Sequence, residues 1–524
     1  MVYCGKPSPG CGRCRSRRLK CNQARPSCSQ CIRANTDCPG YRDPLTLTFR
    51  DQSAEVVGKA RKTVTTSKKK PAHCRTTSRD IPRPKATLSF PEDELARGFM
   101  FSNYLSGSPG SNKGYLAYMS SLAKEPQVWE SAAGSALTAV GLATMSNMRM
   151  APQLMLAARR EYTTALSRTN AALMDPVLSK ADDTLAAVVL LGMFEVTTCT
   201  DGSFFDRWMK HTDGAAKLIE MRGLEQLERP EGLHLFTQVR AQINISRVLQ
   251  EIPTSPIITQ LTEEAKKYRS PEDRMFDDFG TIGHKLADFC ASIKDGTITH
   301  PTEIIRIALN LDAELTCMLL CLPISWHYRT VTVPQVDDGL PIPQAQTIWG
   351  NTYHVYGSIS ISYTWNNYRS ARLILHEMII EAATELEELF PYEISGEYTT
   401  LLIQSQQICH QLVEDIVATV PFHLGAAIDD NTYPARSTSE QGGNERASPA
   451  SGLTLAWPLL VAANSGFASQ ELRRWIITVL DRVGYSMGHN QALAMAKLLR
   501  DRMRSRAWLD VDGSPASSIS LLRH

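Results

Sequence analysis

Histidine is absent before His73, and acid is scarce over the same stretch: residues 1–85 hold 20 Lys and Arg against 5 Asp and Glu. The first absence excludes a mixed Cys/His metal site near the start. The second leaves a basic excess that needs an anionic partner. The remaining residues carry 36 basic and 49 acidic side chains, so the formal net charge of +2 hides a basic end on an acidic body. Met1 to Gly10 contains no apolar signal-peptide core, which argues against secretion and a disulfide framework. The longest promising apolar stretch, Leu185 to Phe194, is closed by Glu195 and falls well short of the ~20 residues a membrane span needs. No heptad of apolar residues runs between Tyr41 and Glu94, so no coiled coil follows the start of the chain. Strand-type alternation is scarce, and no phosphate-binding glycine loop is present.

What the basic end has is cysteine. Cys11, Cys14 and Cys21 are spaced C-x2-C-x6-C, and after six residues Cys28, Cys31 and Cys38 repeat the pattern. Paired thiolates at this density are a metal signature. Zinc in a closed site takes four ligands, so six thiolates serve two ions only if two are shared. Cys4 lies outside the pattern and reads as a free thiol. Between Cys14 and Cys21 stand Arg15, Arg17, Arg18 and Lys20, with Arg13 just before. Two Zn²⁺ and six thiolates leave a small negative charge. Four cations in six positions exceed what would offset it, and suggest contact with a polyanion.

This segment resembles the fungal Zn(2)-C6 binuclear cluster DNA-binding domain in its six cysteines, its basic run, and Pro26 before the fourth cysteine. The resemblance implies that Cys11 and Cys28 bridge two structural Zn²⁺. Cys14 and Cys21 would complete one ion, and Cys31 and Cys38 the other. It also implies a short helix at the major groove of double-stranded DNA, with Arg17 and Arg18 at the positions that read bases in CGG-like promoter triplets. Relatives often carry Lys there, which leaves the triplet open, and each Arg has a phosphate contact or a solvated charge as its bland alternative. Arg13, Arg15 and Lys20 read as phosphate contacts. Pro26 matches the family's loop proline, often cis, with a trans turn as the alternative.

Residues 8–42 are therefore expected to form the zinc module and 43–94 a basic linker containing Arg61-Lys62, Lys68-Lys69-Lys70, Pro71, Pro82 and Pro84. The lysine cluster reads as a nuclear import signal or as a phosphate-hugging tail. Residues 95–524 are expected to be a large all-α domain with a disordered loop near 429–451, which is rich in Ser, Asn, Pro and Gly. Apolar stripes at helical spacing include Met155, Ala158, Tyr162, Leu166 and Leu173. Others are Ile304, Ala308, Leu311, Leu315, Leu319 and Leu322; Leu472, Trp475, Ile476, Leu480 and Val483; and Ala492, Met495, Leu499 and Met503. Pro152 and Pro301 suit first-turn positions, Asp182-Asp183 can cap the following helix, and Arg500, Arg502, Arg504 and Arg506 suit a helix end. Cys317 and Cys321, four apart, read as buried inert thiols.

The body resembles the fungal-specific transcription factor regulatory domain through Trp208, His211, Gly214, Ala215, Leu218-Ile219 and Arg222-Gly223, and through Trp457-Pro458-Leu459 and Arg474-Trp475-Ile476. Packing is the plainer reading of each. The expectation is a nuclear, sequence-specific regulator of RNA polymerase II transcription with no catalytic residues. Family habit points to an activator of a metabolic or secondary-metabolite gene cluster. A homodimer or a co-regulator would have to engage the body. Two alternatives stay open. One is a scaffold that binds nucleic acid without sequence preference. The other, remote, is an all-α isoprenoid-type enzyme, for which Asp182-Asp183, Asp277-Asp278 and Asp429-Asp430 lack a third carboxylate within four positions.

Overall fold

The computed structural model describes residues 10–41, 91–105, 116, 119, 126–199, 204–271, 273–333, 347–389, 397–425 and 448–505. The chain divides into two compact units, Met1–Thr87 and Leu88–His524. The lysine cluster and most of the expected linker and polar loop lie outside the described residues.

The first unit holds two one-turn helices, α1 (Gly12–Ser16) and α2 (Ser29–Arg33). Its buried apolar set consists of Cys11, Cys14, Cys28 and Cys31, with Cys21, Cys38 and Tyr41 packed against them. So few side chains cannot supply the burial that folds a domain.

The second unit is helical. Its elements are α3 (Glu92–Met100), α4 (Ala132–Arg149), α5 (Pro152–Leu173), α6 (Asp182–Thr198), α7 (Phe204–Arg222), α8 (Pro230–Gln250) and α9 (Pro256–Ala265). Then come α10 (Arg274–Lys294), α11 (Pro301–Leu319), α12 (Ile359–Leu389), α13 (Glu397–Val417), α14 (Val420–His423), α15 (Pro449–Asn464), α16 (Gln470–Met487) and α17 (Asn490–Ser505). Pro152 and Pro301 occupy first-turn positions, where a missing N–H costs nothing. The expected linker gives way earlier than its assigned end, because Glu92, Asp93 and Glu94 form the acidic first turn of α3. The expected loop ends earlier too. Ser448 caps α15 by accepting from the Ser451 N–H, and Pro449 opens the helix. What read as loop chemistry there is a helix start.

The apolar run Leu185 to Phe194 is the middle of α6. That helix is buried on nearly every face, as is α15. Among the described residues no helix is long and apolar enough to cross a membrane. One large core joins α3 to α9. A second gathers α13, α15, α16 and α17, and a third lies between α10, α11 and α12.

The expected stripes hold well on α11, α16 and α17. On α5 the expected Ala158 is buried, and Met155, Tyr162 and Leu166 pack partly buried against the core. The fully buried positions are mostly small, however, Ala157, Ala158, Ala165, Thr169 and Ala172, and Leu173 is exposed. The facing helix α4 presents small residues, and close approach there favours alanine over leucine. Against α3, too, α4 packs tightly: a Cβ on Gly141 would come within 2.8 Å of the Ala96 carbonyl oxygen.

Other readings need correction. Cys317 and Cys321 are exposed. The buried face of α11 runs through Ile305, Ala308, Leu311 and Leu315, and Cys317 is about 200° around the helix from Leu315. Cys321 lies beyond the helix end. Asp182 does not cap α6. Ala181 is at that position, and the Asp182 carboxylate accepts from Arg222 and Arg229. Asp183 accepts from the Ser131 hydroxyl. Arg500 pairs with Asp481, and Arg502 donates to Asn464 Oδ1 at 3.0 Å, so both serve the packing of α17.

The body also contains an antiparallel strand pair, β1 (Arg329–Thr332) and β2 (Thr352–Val355), with Arg329 opposite Val355. Arg369 on α12 secures the neighbourhood. Its guanidinium lies 5.0 Å from the Tyr328 ring centroid and 5.3 Å from that of Trp365, and it donates to the Tyr356 hydroxyl at 2.7 Å.

The buried charges set two expectations for stability. Asp182→Ala strands Arg222, whose side chain is 2% exposed, and is expected to cost about 3–5 kcal/mol in denaturant unfolding. Asp312 lies between Arg372 and His376. Burial raises its pKa, but hydrogen bonds from His376 and Arg372 outweigh that and hold it at about 2. A depressed carboxylate stabilises above its unfolded value and loses that contribution as pH falls from about 4 toward 2. Asp312→Asn should flatten this part of the stability–pH curve, read by denaturant melts at pH 5, 4 and 3.

Candidate metal centre and nucleic-acid interface

The first unit is one backbone written twice, offset by seventeen residues. Cys11 precedes α1 as Cys28 precedes α2. Leu19 N–H donates to the Cys14 carbonyl at 2.8 Å, and Thr36 N–H to the Cys31 carbonyl at 3.1 Å. Arg18 and Asn35 both take left-handed backbone, at φ 54° and 47°, and so do Gln23 and Gly40, at 58° and 77°. A non-glycine residue pays for that conformation, so three of these four are held there by their surroundings. The Arg25–Pro26 bond is cis.

This repeat brings all six cysteines together. Cys11 Sγ is 3.6 Å from Cys28 Sγ and 3.7 Å from Cys31 Sγ, and Cys14 Sγ is 3.7 Å from Cys28 Sγ. These spacings are far too long for disulfides, whose sulfurs stand about 2 Å apart. They fit tetrahedral zinc: four sulfurs at about 2.3 Å from one ion lie about 3.8 Å from each other. Two sets of four sulfurs each lie within 4.8 Å: Cys11, Cys14, Cys21 and Cys28, and Cys11, Cys28, Cys31 and Cys38. Cys11 and Cys28 belong to both. The backbone supports the outer pair alike. N–H groups of Cys11 and Gln23 hold the Cys21 thiol down at about 7, and those of Cys28 and Gly40 do the same for Cys38. Burial pushes the Cys31 thiol up to about 12 and the Cys14 thiol higher. The sulfurs of Cys14 and Cys31 favour the thiolate only beside a cation. The donor set is all thiol and suits zinc.

Around the sulfurs, Asn22 Oδ1 accepts from the Ser29 N–H at 3.0 Å and steadies the start of α2. Tyr41 donates to the Ala24 carbonyl at 2.7 Å and closes the segment. These supports, and the left-handed positions, escaped the sequence reading. Aligning the two halves would have exposed one of them, since Gln23 falls opposite Gly40.

The halves share a backbone but not a surface. The first presents Arg15, Arg17, Arg18 and Lys20. The equivalent second-half positions are Ile32, Ala34, Asn35 and Asp37. Arg17, Arg18 and Lys20 are exposed, while Arg13 and Arg15 are half-buried. Arg13 donates to the Gln30 carbonyl at 3.4 Å, which ties the first half to the second. Basic side chains on one flank of a small rigid module give it a polar face for a polyanion.

The regulatory-domain residues fall on packing positions. Trp208, His211, Ala215, Leu218 and Ile219 lie along α7, and a Cβ on Gly192 of α6 would come within 3.0 Å of His211 Cβ. Burial lowers the His211 pKa. Arg222 ends α7 on Asp182, and Gly223 turns the chain at φ 62°. Trp475 packs against Trp349 at 5.7 Å between ring centroids. Of the aspartate pairs, Asp277 is held by Arg240 and Arg269 and Asp278 by Lys266, while Asp429-Asp430 lies outside the described residues. The pairs at 182–183 and 277–278 do not converge on a cation.

The left-handed positions make a test. Asn35→Val puts a β-branched residue at φ 47° and is expected to cost about 1–2 kcal/mol, read as easier zinc loss to a chromogenic chelator. Asn35→Gly should retain zinc as well as the parent.

Comparison with known proteins agrees with both units. Residues 9–47 match the fungal Zn(2)-Cys(6) binuclear cluster domain, a family that binds DNA, and residues 101–247 match the fungal specific transcription factor domain. Both families are transcription factor domains. Trp457-Pro458-Leu459 and Arg474-Trp475-Ile476 lie outside the second match. A stretch of 152 residues, 29% of this chain, is 24% identical to the transcription factor dbaG of Emericella nidulans. The match spans 33% of that relative's length. No solved structure matches the chain. The chain thus carries a match to the fungal zinc cluster domain, a DNA-binding family, followed in sequence by a match to a fungal transcription factor domain, and over part of its length it is similar to a fungal transcription factor.

Proposed function

We propose that this chain is a nuclear, sequence-specific activator of RNA polymerase II transcription that reads CGG-like triplets in promoter DNA through a cluster of two structural Zn²⁺. The observation that carries the reading is the pair of four-thiol sets sharing Cys11 and Cys28, beside an exposed Arg17, Arg18 and Lys20. In this reading Cys11 and Cys28 bridge the ions, Cys14 and Cys21 complete one, and Cys31 and Cys38 complete the other. Every ligand is a protein thiolate, so no coordination position is left for water and the metal is structural. Zinc binding supplies folding free energy that the small unit cannot draw from a core. Arg17 and Arg18 contact bases, since a guanidinium can grip guanine O6 and N7 together. Lys20 and Arg15 contact phosphates. The bond from Arg13 to Gln30 favours a bracing role beside any phosphate contact.

The module spans 8–42, the basic linker 43–94 and the regulatory body 95–524. Activation, and control of a metabolic or secondary-metabolite gene cluster, rest on the family resemblance. The body is where a homodimer partner or a co-regulator would bind.

Binding measured on CGG-containing and scrambled duplexes over a range of salt tests the reading. Replacing Arg17 and Arg18 by Ala should cost about 1–3 kcal/mol on the specific duplex for each base that either guanidinium reads, and erase the preference over the scrambled one. Lys20→Ala should weaken both duplexes alike and lower the salt slope by about one. Cys28→Ser should lose zinc and DNA binding together. Equal affinity of the parent for both duplexes would instead mark a nonspecific nucleic-acid scaffold.

A further inference from the structure

Four helices of the body, α8, α10, α12 and α15, with Arg269, line a partly open cavity of about 220 Å³. An engineered apolar cavity of about 150 Å³ already takes benzene, so this one has room for a ring with a substituent, on the order of ten non-hydrogen atoms. Its wall is chiefly apolar, with Phe279, Leu286, Ile374 and Trp457. Trp457 belongs to the Trp-Pro-Leu pattern that the zinc cluster and matched domain leave unexplained.

The polar part of the wall is one-sided. Among the described residues no Asp or Glu lines the cavity, but Arg240 and Arg269 both do. Both guanidiniums turn to a single carboxylate: Arg240 Nη1 lies 2.7 Å from Asp277 Oδ1, and Arg269 Nε 3.0 Å from Asp277 Oδ2. Asp277 is fully buried, and both Arg side chains are 5% exposed or less. Two cations on one anion leave a positive excess beside a sheltered space, where it is poorly screened. The next charged groups, Lys266 with Glu263 and Asp278, form their own bridges, and both carboxylates are about half exposed.

Tight packing keeps the guanidinium in place. A Cβ on Gly280 would come within 2.5 Å of Arg240 Nε, and one on Gly283 within 2.3 Å of Asn244 Nδ2. Asn244 donates to the Gly280 carbonyl at 3.1 Å, while its Oδ1 is buried with no protein partner. Ser370 Oγ, on the opposite wall, is likewise buried without one. Both residues line the cavity, though the two orphan atoms themselves are sealed behind its wall and do not reach its surface. Tyr363 keeps accessible surface, yet burial raises its pKa, as expected for a side chain whose free face is internal.

We propose that this cavity is an effector site for a small organic acid with a ring-sized apolar body. The carboxylate meets the Arg240–Arg269 end, and the ring packs against Phe279, Leu286 and Trp457. The inference stands independently of how the zinc module reads DNA.

The test is calorimetric titration of the full-length, zinc-loaded protein with phenylacetate, cinnamate and neutral phenylacetamide. Saturable binding of the acids is expected, at least about tenfold tighter than that of the amide. Ala371→Phe and Ala241→Leu fill the cavity from α12 and α8, so either variant that keeps parental helicity and melting temperature should lose acid binding. Arg269→Gln should remove the preference for the acids over the amide. The proposal is overturned if neither acid binds saturably up to about 10 mM, if the amide binds as well as the acids, or if a folded cavity-filled variant binds as the parent does.

Discussion

Six sulfurs arranged for two four-donor sites impose a single constraint: two of them must belong to both sites. Cys11 and Cys28 meet it by lying 3.6 Å apart at the starts of two equivalent helices. The rest of the small unit follows. The halves have to face each other about those two residues, which needs matching turns after each helix, and the chain supplies them as left-handed residues at equivalent positions. With sulfurs occupying the interior, Arg17, Arg18 and Lys20 are driven to the surface and Arg15 part of the way. The basic face is thus a by-product of how the inside is filled.

The body solves the opposite problem. It has ample apolar surface, and α6 and α15 are wrapped on nearly all sides by other helices. What singles out its geometry is a set of sheltered cations. Arg222 is held by Asp182, Arg240 by Asp277, and Arg369 by aromatic faces and the Tyr356 hydroxyl. Each joins elements distant in sequence. A buried cation tolerates few arrangements of its partners, so these contacts constrain which helix packs where.

How much of this could be read in the chain depends on whether the determinant was local. Cysteine spacing, the basic run and the first-turn prolines are local, and they pointed to the metal centre, its charged flank and several helix starts. The stripe on α5 marked the right side of the helix except at Leu173, but it did not show that alanines take the most buried positions there, against a neighbour that sequence periodicity does not reveal. Cys317 and Cys321 read as buried because four-residue spacing was taken for membership of the apolar stripe, which runs through Leu311 and Leu315 instead. Asp182 looked like a cap because its partners Arg222 and Arg229 are some forty residues away. Ser448 to Ser451 looked like loop because serine and proline serve both loops and helix starts. Nothing in the order of residues announced that Arg240 and Arg269 would share one carboxylate beside an open space.

The doubled backbone of the small unit has a further consequence. Its two halves repeat the same backbone, but their side chains do not match, since Arg15, Arg17, Arg18 and Lys20 are answered by Ile32, Ala34, Asn35 and Asp37. The unit is therefore a repeated frame charged in one half only, and what distinguishes its two halves is a handful of exchangeable side chains. Moving those four cations to the second half, with their counterparts going the other way, would leave all six cysteines at their positions and transfer the basic charge to the other half.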